Sequence, residues 1–496
     1  MKEAMLALVT GLILSPLGAS AAGAEDVKRP NILFIIADDW SWGHAGAYGC
    51  KWIKTPAFDR VAREGVLFQN TFTNNPKCSP CRASILTGRN TWQLEEAMCH
   101  FGLFRAKWPV YPDLLERAGY LVGHTGKGWG PGDFKNGGFS RNPAGPGYQK
   151  HTTQPPLNGI AGTDYARNFD DFLKVRRPGQ PFCFWAGGYE PHRPYDEGSG
   201  LRAGRKLADV VVPGYLPSTN LVRSDLLDYG LEVEWFDAQV GRMLESLEKS
   251  GALDDTLIVY TSDHGMPFPR VKGQLYDAGF HIPMAIRWGR NVKPGRVVDD
   301  FINVRDFAPT FLEAAGHAIP DSMSGRSFAD ILKSQKSGQI DPTRNRMVVG
   351  KERHDIGRPN DAGYPARGIR TPDYLFVRNY APDRWPAGNP ETSYPNCDNG
   401  PTKTLITSSF NRFYRLCFGK RPAEELYDLR NDPDCIKNLA NDQSLASLKQ
   451  QLETEMTASL TRDRDPRMLG RGAIFESYKY LGGGAHSYEN WLKFRQ

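Results

Sequence analysis

Four short runs along the chain are apolar without interruption and end at once in polar or glycine-rich residues. Asn31-Ile-Leu-Phe-Ile-Ile-Ala37 runs into Asp38 and Asp39. Tyr120-Leu-Val122 leads to Gly126-Lys127, Phe182-Cys-Phe-Trp-Ala186 to Glu190-Pro191-His192, and Thr256-Leu-Ile-Val-Tyr260 to Asp263-His264-Gly265. Unbroken apolar runs of this length fit strands buried on both faces, as in a parallel or mixed sheet. Helical patterns alternate with them. Thr55-Pro56 opens one that Gly65 closes, Pro112 to Ala118 ends at Gly119, and Leu226 to Leu247 is a long amphipathic stretch. Such alternation predicts a layered α/β core in which ligands collect at the carboxyl ends of the strands. All four polar clusters fall at that end, which predicts a single active site.

After about Pro365 the pattern changes. Arg370 to Asn379 and Leu405 to Phe418 are expected as strands of an antiparallel sheet, and Leu445 to Leu460 as a helix. The expected organisation is a catalytic domain over 25–365 and a smaller α+β C-terminal domain over 366–496. A length of 496 residues accommodates both. The 51 Gly and 36 Pro point to many loops between the elements.

Residues 1–24 have the pattern of a signal peptide. Lys2 precedes an apolar run from Ala4 to Leu14, and small residues follow to Ala24. The run is too short to span a bilayer, and no later segment is long and apolar enough to do so. Eight cysteines in an exported chain permit disulfides without revealing their pairing. The chain has no Asn-x-Ser/Thr glycosylation site, so a bacterial periplasmic or secreted setting is expected. A net charge of +6 suits an anionic substrate but carries little weight alone. Neither nucleic acid nor membrane is an expected partner.

The densest chemistry lies in Cys78-Ser79-Pro80-Cys81-Arg82-Ala83-Ser84-Ile85-Leu86-Thr87-Gly88-Arg89. The pair Cys78-x-x-Cys81 is compatible with a thiol–disulfide centre, a structural disulfide or half of a zinc site. No second Cys-x-x-Cys completes a zinc site, and nothing around Lys77 suggests a thioredoxin-like domain. The whole segment resembles the maturation signal of the type I sulfatases, Cys-x-Pro-x-Arg followed by Leu-Thr-Gly. Members of that family have an alkaline-phosphatase-like mixed sheet flanked by helices.

The resemblance implies that a formylglycine-generating maturation enzyme oxidises Cys78 to formylglycine, whose hydrated aldehyde is the nucleophile. A thiolate attacking sulfur would end as a stable S-sulfo adduct, whereas a geminal diol expels sulfate through its second hydroxyl. Asp38, Asp39, Asp263 and His264, with the formylglycine at 78, would hold one divalent metal. Calcium is usual in the family, and the nitrogen of His264 leaves magnesium or manganese open. Arg82 would neutralise charge near the nucleophile, Lys127 would contact the sulfo group or the nucleophile, and Lys272 would bind the sulfo group. His192, in a Pro-His pair, would protonate the leaving group.

The chain departs from the family where a histidine normally follows the lysine of the Gly-Lys segment. Trp129 and Gly130 stand there instead, so the group that removes the diol proton is open. His124, just before the loop, is a candidate. Pro191-His192-Arg193 and Pro267-Phe268-Pro269 give the chain most likeness to the heparan N-sulfatase (sulfamidase) branch. The run Lys351-Glu352-Arg353-His354 and the region from Arg367 to Trp385 either shape specificity or are solvated charged loops. The expectation is hydrolysis of sulfate esters or sulfamates on sulfated glycans such as glycosaminoglycans. A phosphoester or phosphonate hydrolase of the same fold, and a glycan-binding protein without turnover, are the alternatives.

Overall fold

A computed structural model of the chain describes residues 29–494. The expected signal peptide over 1–24 lies outside these residues. Eight strands form one mixed sheet: β1 (Asn31–Ala37), β2 (Val66–Phe72), β3 (Leu121–Gly126), β4 (Phe182–Gly187), β5 (Thr256–Ser262), β6 (His281–Arg287), β7 (Arg296–Val298) and β8 (Ile302–Asn303). Their order is β3-β4-β1-β5-β6-β2-β7, with β8 also pairing with β2. The four apolar runs are β1, β3, β4 and β5. They lie side by side and all run parallel.

Burial on both faces explains why these strands do not alternate in polarity. Leu33, Ile35 and Ala37 of β1 pack in one cluster with Phe58 of α1 (Pro56–Arg63), Phe169 of the helix Tyr165–Lys174, and Val233 and Phe236 of the helix Asn220–Lys249. Ile32, Phe34 and Ile36 point to the other face, toward Ile85 and Leu86 of α2 (Cys78–Thr87) and Phe307 and Phe311 of the helix Phe307–Ala314. Each such fully buried side chain contributes about 1.5–3 kcal/mol.

A second sheet is antiparallel, with strands β9 (Met347–Lys351), β10 (Ala366–Arg370), β11 (Tyr374–Asn379) and β12 (Glu424–Asp428) in the order β12-β11-β10-β9. Its first strand, β9, comes before residue 365. The helix Ala446–Arg462 covers one face through Leu452, Met456 and Leu460, against Ile369, Phe376 and Leu426. The segment from Arg370 to Asn379 belongs to a hairpin, because the chain turns at Thr371-Pro372-Asp373.

The expected strand from Leu405 to Phe418 is not one. It is helical, within Pro401–Thr407 and Arg412–Cys417. Local capping decides for helices here. Pro401 opens the first helix, and the Asn411 side chain caps the second by accepting from the Phe413 and Tyr414 amides. All eight cysteines are free.

Candidate active site

The parallel register decides where the polar residues emerge. Ala37 pairs with Ser262, and Gly187 pairs with both Ile36 and Gly126. Asp38, Lys127 and Asp263 are therefore each the first residue past a strand, at one edge of the sheet. Two glycines permit this close approach. A Cβ at Gly126 would fall 2.0 Å from the Gly187 carbonyl, and one at Gly187 would fall 1.9 Å from the Lys127 carbonyl.

Cys78 begins α2, and no side chain caps that helix end at Lys77. The open amides and the helix dipole make this a place for an anion. Arg82, one turn on, is fully buried. Its Nε donates to Asp263 Oδ2 at 3.0 Å and its Nη2 to Asp38 Oδ1 at 3.2 Å. Its Nη1 donates to the carbonyls of Lys127 and Gly128 at 2.8 and 3.1 Å. Arg82 thus ties α2 to three strand ends.

Asp38 Oδ2 accepts from Lys127 Nζ at 2.5 Å. Burial works to raise the Asp38 carboxyl, but Lys127, Arg82 and His192 outweigh it and hold it well below its ordinary value. Burial and the neighbouring Asp38 push Asp263 up, a crowding of carboxylates that a cation relieves. Asp39 sits at φ +73°, a left-handed backbone costly for an aspartate, and its amide donates to Asp263 Oδ1 at 3.1 Å. Its Oδ2 accepts from Lys272 Nζ at 2.7 Å. His192 Nε2 lies 4.0 Å from that same oxygen. His192 keeps about a third of its side chain exposed to the cavity.

Asp38, Cys78, Asp263 and His264 offer ligand atoms all within 4.8 Å of one another. His264 Nδ1 lies 3.1 Å from the Gly265 carbonyl. That contact places its proton on Nδ1 and leaves the Nε2 lone pair facing inward, the arrangement of a metal-bound imidazole. Nε2 lies 3.4 Å from Cys78 Sγ and 3.1 Å from Asp39 Oδ1. The latter contact lacks hydrogen-bond geometry, so Asp39 Oδ1 is a buried carboxylate oxygen without a donor. A carboxylate-rich set with one imidazole and one orphaned oxygen fits a divalent cation.

Asp38, Cys78, Lys127, His192 and Lys272 line a cavity of about 1230 Å³, together with Trp129, Tyr189, Gln149 and Tyr480. The sequence profile described as sulfatase matches residues 30–317, more than half of the chain. The chain belongs to the sulfatase family. A second profile, the C-terminal part of N-sulphoglucosamine sulphohydrolase, matches residues 268–386.

Among similar proteins, an ulvan-active sulfatase of Formosa agariphila is 28% identical over 435 residues, covering 86% of this chain and 79% of that protein. Human N-sulphoglucosamine sulphohydrolase is 26% identical over 496 residues, covering 90% of this chain and 93% of that protein. The solved structure of BT4656 with its substrate D-glucosamine-2-N,6-O-disulfate superposes with a TM-score of 0.64 at 21% identity, covering 88% of this chain and 99% of that one. That last likeness shows the shared fold.

Of the site residues anticipated for this sulfatase, Asp38, Asp39, Cys78, Lys127, His192, Asp263, His264 and Lys272 stand at this one strand edge or on its cavity, and Arg82 reaches the edge from α2. The two branch motifs also meet. Arg193 Nε donates to the Pro267 carbonyl at 3.0 Å, and its guanidinium lies over the Phe268 ring. Arg193 is itself locked to both oxygens of Asp225 at 2.8 Å, so it holds the His192 loop in place. Trp129, in the position where a histidine was expected, donates from Nε1 to the Ser79 carbonyl at 3.0 Å and buttresses α2. His124 lines the cavity, with Nδ1 engaged by the Gly145 carbonyl at 2.8 Å. Burial pushes its pKa down.

Sequence reasoning missed Lys77, His100, Asp355 and Asp398, all of which line the cavity. Lys77 adjoins the nucleophile signature, and Asp355 is the next residue after the run Lys351–His354. That run is not a solvated loop: Lys351, Glu352, Arg353 and His354 are all buried. Asp398 sits in a polar turn that carries no pattern of its own. No helix among the described residues is long and apolar enough to cross a membrane.

Proposed function

We propose that this sulfatase removes sulfo groups from sulfated glucosamine-type sugars of glycosaminoglycans or related polysaccharides, using a formylglycine made from Cys78. The observation that carries the reading is the convergence on Cys78 of two acidic strand ends, a buried arginine and two lysines. The sulfur of Cys78 stands where the hydrated aldehyde oxygens would be. Those oxygens would lie at the open end of α2, where the amides favour a bound sulfo group. The similarity to human N-sulphoglucosamine sulphohydrolase along nearly the whole of both chains, and the second profile, support an amino-sugar substrate.

Asp38, Asp39, Asp263 and His264 would hold the divalent cation, calcium by the usual family preference, with magnesium or manganese accepted through the single nitrogen ligand. When bound, it would polarise a sulfo oxygen and favour ionisation of the attacking hydroxyl. The chain's own groups then account for the rest. Lys127 and Lys272 carry the charge that builds on the sulfo oxygens, and His192, open to the cavity, protonates the departing sugar oxygen or nitrogen. Burial would lower Lys127, but the facing Asp38 carboxylate opposes it and the ammonium stays charged.

A maturation enzyme as partner and an exported location, from the leader pattern over 1–24, belong to the same proposal. The test is release of inorganic sulfate from glucosamine N-sulfate, glucosamine 6-O-sulfate and their disulfate, against a phosphodiester control. Preference for a sulfated sugar is expected. Faster turnover of the phosphodiester would transfer the reading to phosphoester hydrolysis.

A further inference from the structure

Lys77, the residue before Cys78, is buried and lines the catalytic cavity. Its Nζ lies 2.7 Å from Asp355 Oδ2 and donates to Asn396 Oδ1 at 3.2 Å. Lys272 is held in a parallel way, between Asp39 Oδ2 and Asp398 Oδ2, each at 2.7 Å. An ammonium has three N–H donors. Each lysine therefore keeps one donor with no protein acceptor among the described residues, and both line the cavity that holds Cys78.

The two clamping aspartates are themselves fixed. Asp355 Oδ1 lies 2.9 Å from His100 Nδ1 and accepts from the Tyr480 hydroxyl at 3.3 Å. Asp398 stands in a triangle with Asp39 and His192, their ligand atoms within 4.8 Å of one another. That triangle is not a second metal site, because the Lys272 ammonium already bridges its two carboxylates. Asn396 and Asp398, two residues apart on one loop, hold Lys77 and Lys272 respectively, so both lysines act on one small region of the cavity.

We propose that Lys77 is a further anion-binding residue of the sulfo subsite, and that Asp355 and Asp398 are positioning residues that aim Lys77 and Lys272 at it. The ligand class is a sulfo group or, after turnover, inorganic sulfate. A lysine with a free stem loses rotamer freedom when it binds, whereas one clamped beforehand does not. The C-terminal part of the chain thereby completes a site whose nucleophile lies near the N-terminus. The inference rests on the proposed function for its meaning, but it can be tested without turnover.

The experiment is calorimetric titration of inorganic sulfate into Cys78→Ser protein, alone and with further changes. Lys77→Met should weaken sulfate binding by roughly tenfold to a hundredfold, the loss of one charge-assisted hydrogen bond. Asp398→Asn should weaken it less, and Asp398→Glu should recover part of the loss. Because Asp355→Asn alone strands a buried ammonium, the Lys77→Met/Asp355→Asn pair removes both charges and preserves the fold test. It should bind no worse than Lys77→Met. In the converted enzyme, Lys77→Met should raise KM more than it lowers kcat. Sulfate affinity indifferent to Lys77→Met, or a penalty from Asp355→Asn undiminished in the Lys77→Met background, would overturn the proposal. If the converted wild type releases no sulfate while Lys77 still governs sulfate affinity, the proposed function fails and this inference holds. The reverse pair of results sinks only the inference.

Discussion

Along the strand edge, Asp38, Lys127 and Asp263 each follow a strand of the parallel block at the first position past its end. The lining contributed by the C-terminal region is made otherwise, from Asp355, Asp398 and Tyr480 on loops between or beyond the elements of the antiparallel sheet. In the first case a hydrogen-bonded ladder fixes where each side chain emerges. In the second, ion pairs and side-chain hydrogen bonds do, such as Asp355 with Lys77 and His100. The comparison teaches that one cavity joins two kinds of precision, one from backbone register and one from buried charge.

The sharpest way to break the comparison acts on the strand edge and α2. Cys78→Ala should cut sulfate release by at least about a thousandfold while leaving the melting temperature near that of the wild type, because residue 78 acts in chemistry rather than packing. Residual turnover within tenfold of wild type would refute the nucleophile. Asp263→Asn should lower bound divalent metal well below that of wild type, read by elemental analysis of dialysed protein. An unchanged stoichiometry would remove Asp263 from the ligand set.

The C-terminal region should answer to charge. Arg367 and Asp465 are fully buried, with Arg367 Nε donating to Asp465 Oδ2 at 2.6 Å and its Nη2 2.8 Å from Glu352. Asp465→Ala leaves that guanidinium with one carboxylate fewer, at an expected cost of about 3 kcal/mol in denaturant unfolding. A loss no larger than that of an exposed pair would show that register alone holds this region.

A further effect concerns pH. Burial, then the neighbouring Glu190, raises Glu232 from 4.5 to about 9, and its Oε2 has no donor. The folded protein keeps this proton where the unfolded chain releases it. The resulting stabilisation is complete below pH 4.5 and is lost as pH rises through about 9. Glu232→Gln should therefore gain melting temperature over the wild type progressively between those limits. A constant difference at every pH would reject the shift.

Much of the first lining was legible in the sequence because uninterrupted apolar runs mark strands buried on both faces. The acidic residue that follows such a run is the one delivered to the strand end, as Asp38 and Asp263 are. The signature at Cys78 and the Gly-Lys of residues 126 and 127 added the remaining partners. The second lining was not legible. Asp398 lies in a turn of ordinary polar residues, and its meeting with Lys272 depends on how two distant segments pack. The segment from Leu405 to Phe418 misled for a local reason: Pro401 and the Asn411 cap start helices where strands were expected. Trp129 shows a third limit, since its role as a buttress for Ser79 follows only from the fold.

The most direct test of the central claim is the mass of the peptide containing residue 78, taken from protein co-produced with a formylglycine-generating enzyme and shown to release sulfate. The account predicts an aldehyde or its hydrate at that position in the active preparation. An active preparation in which that peptide retains its thiol throughout would contradict it.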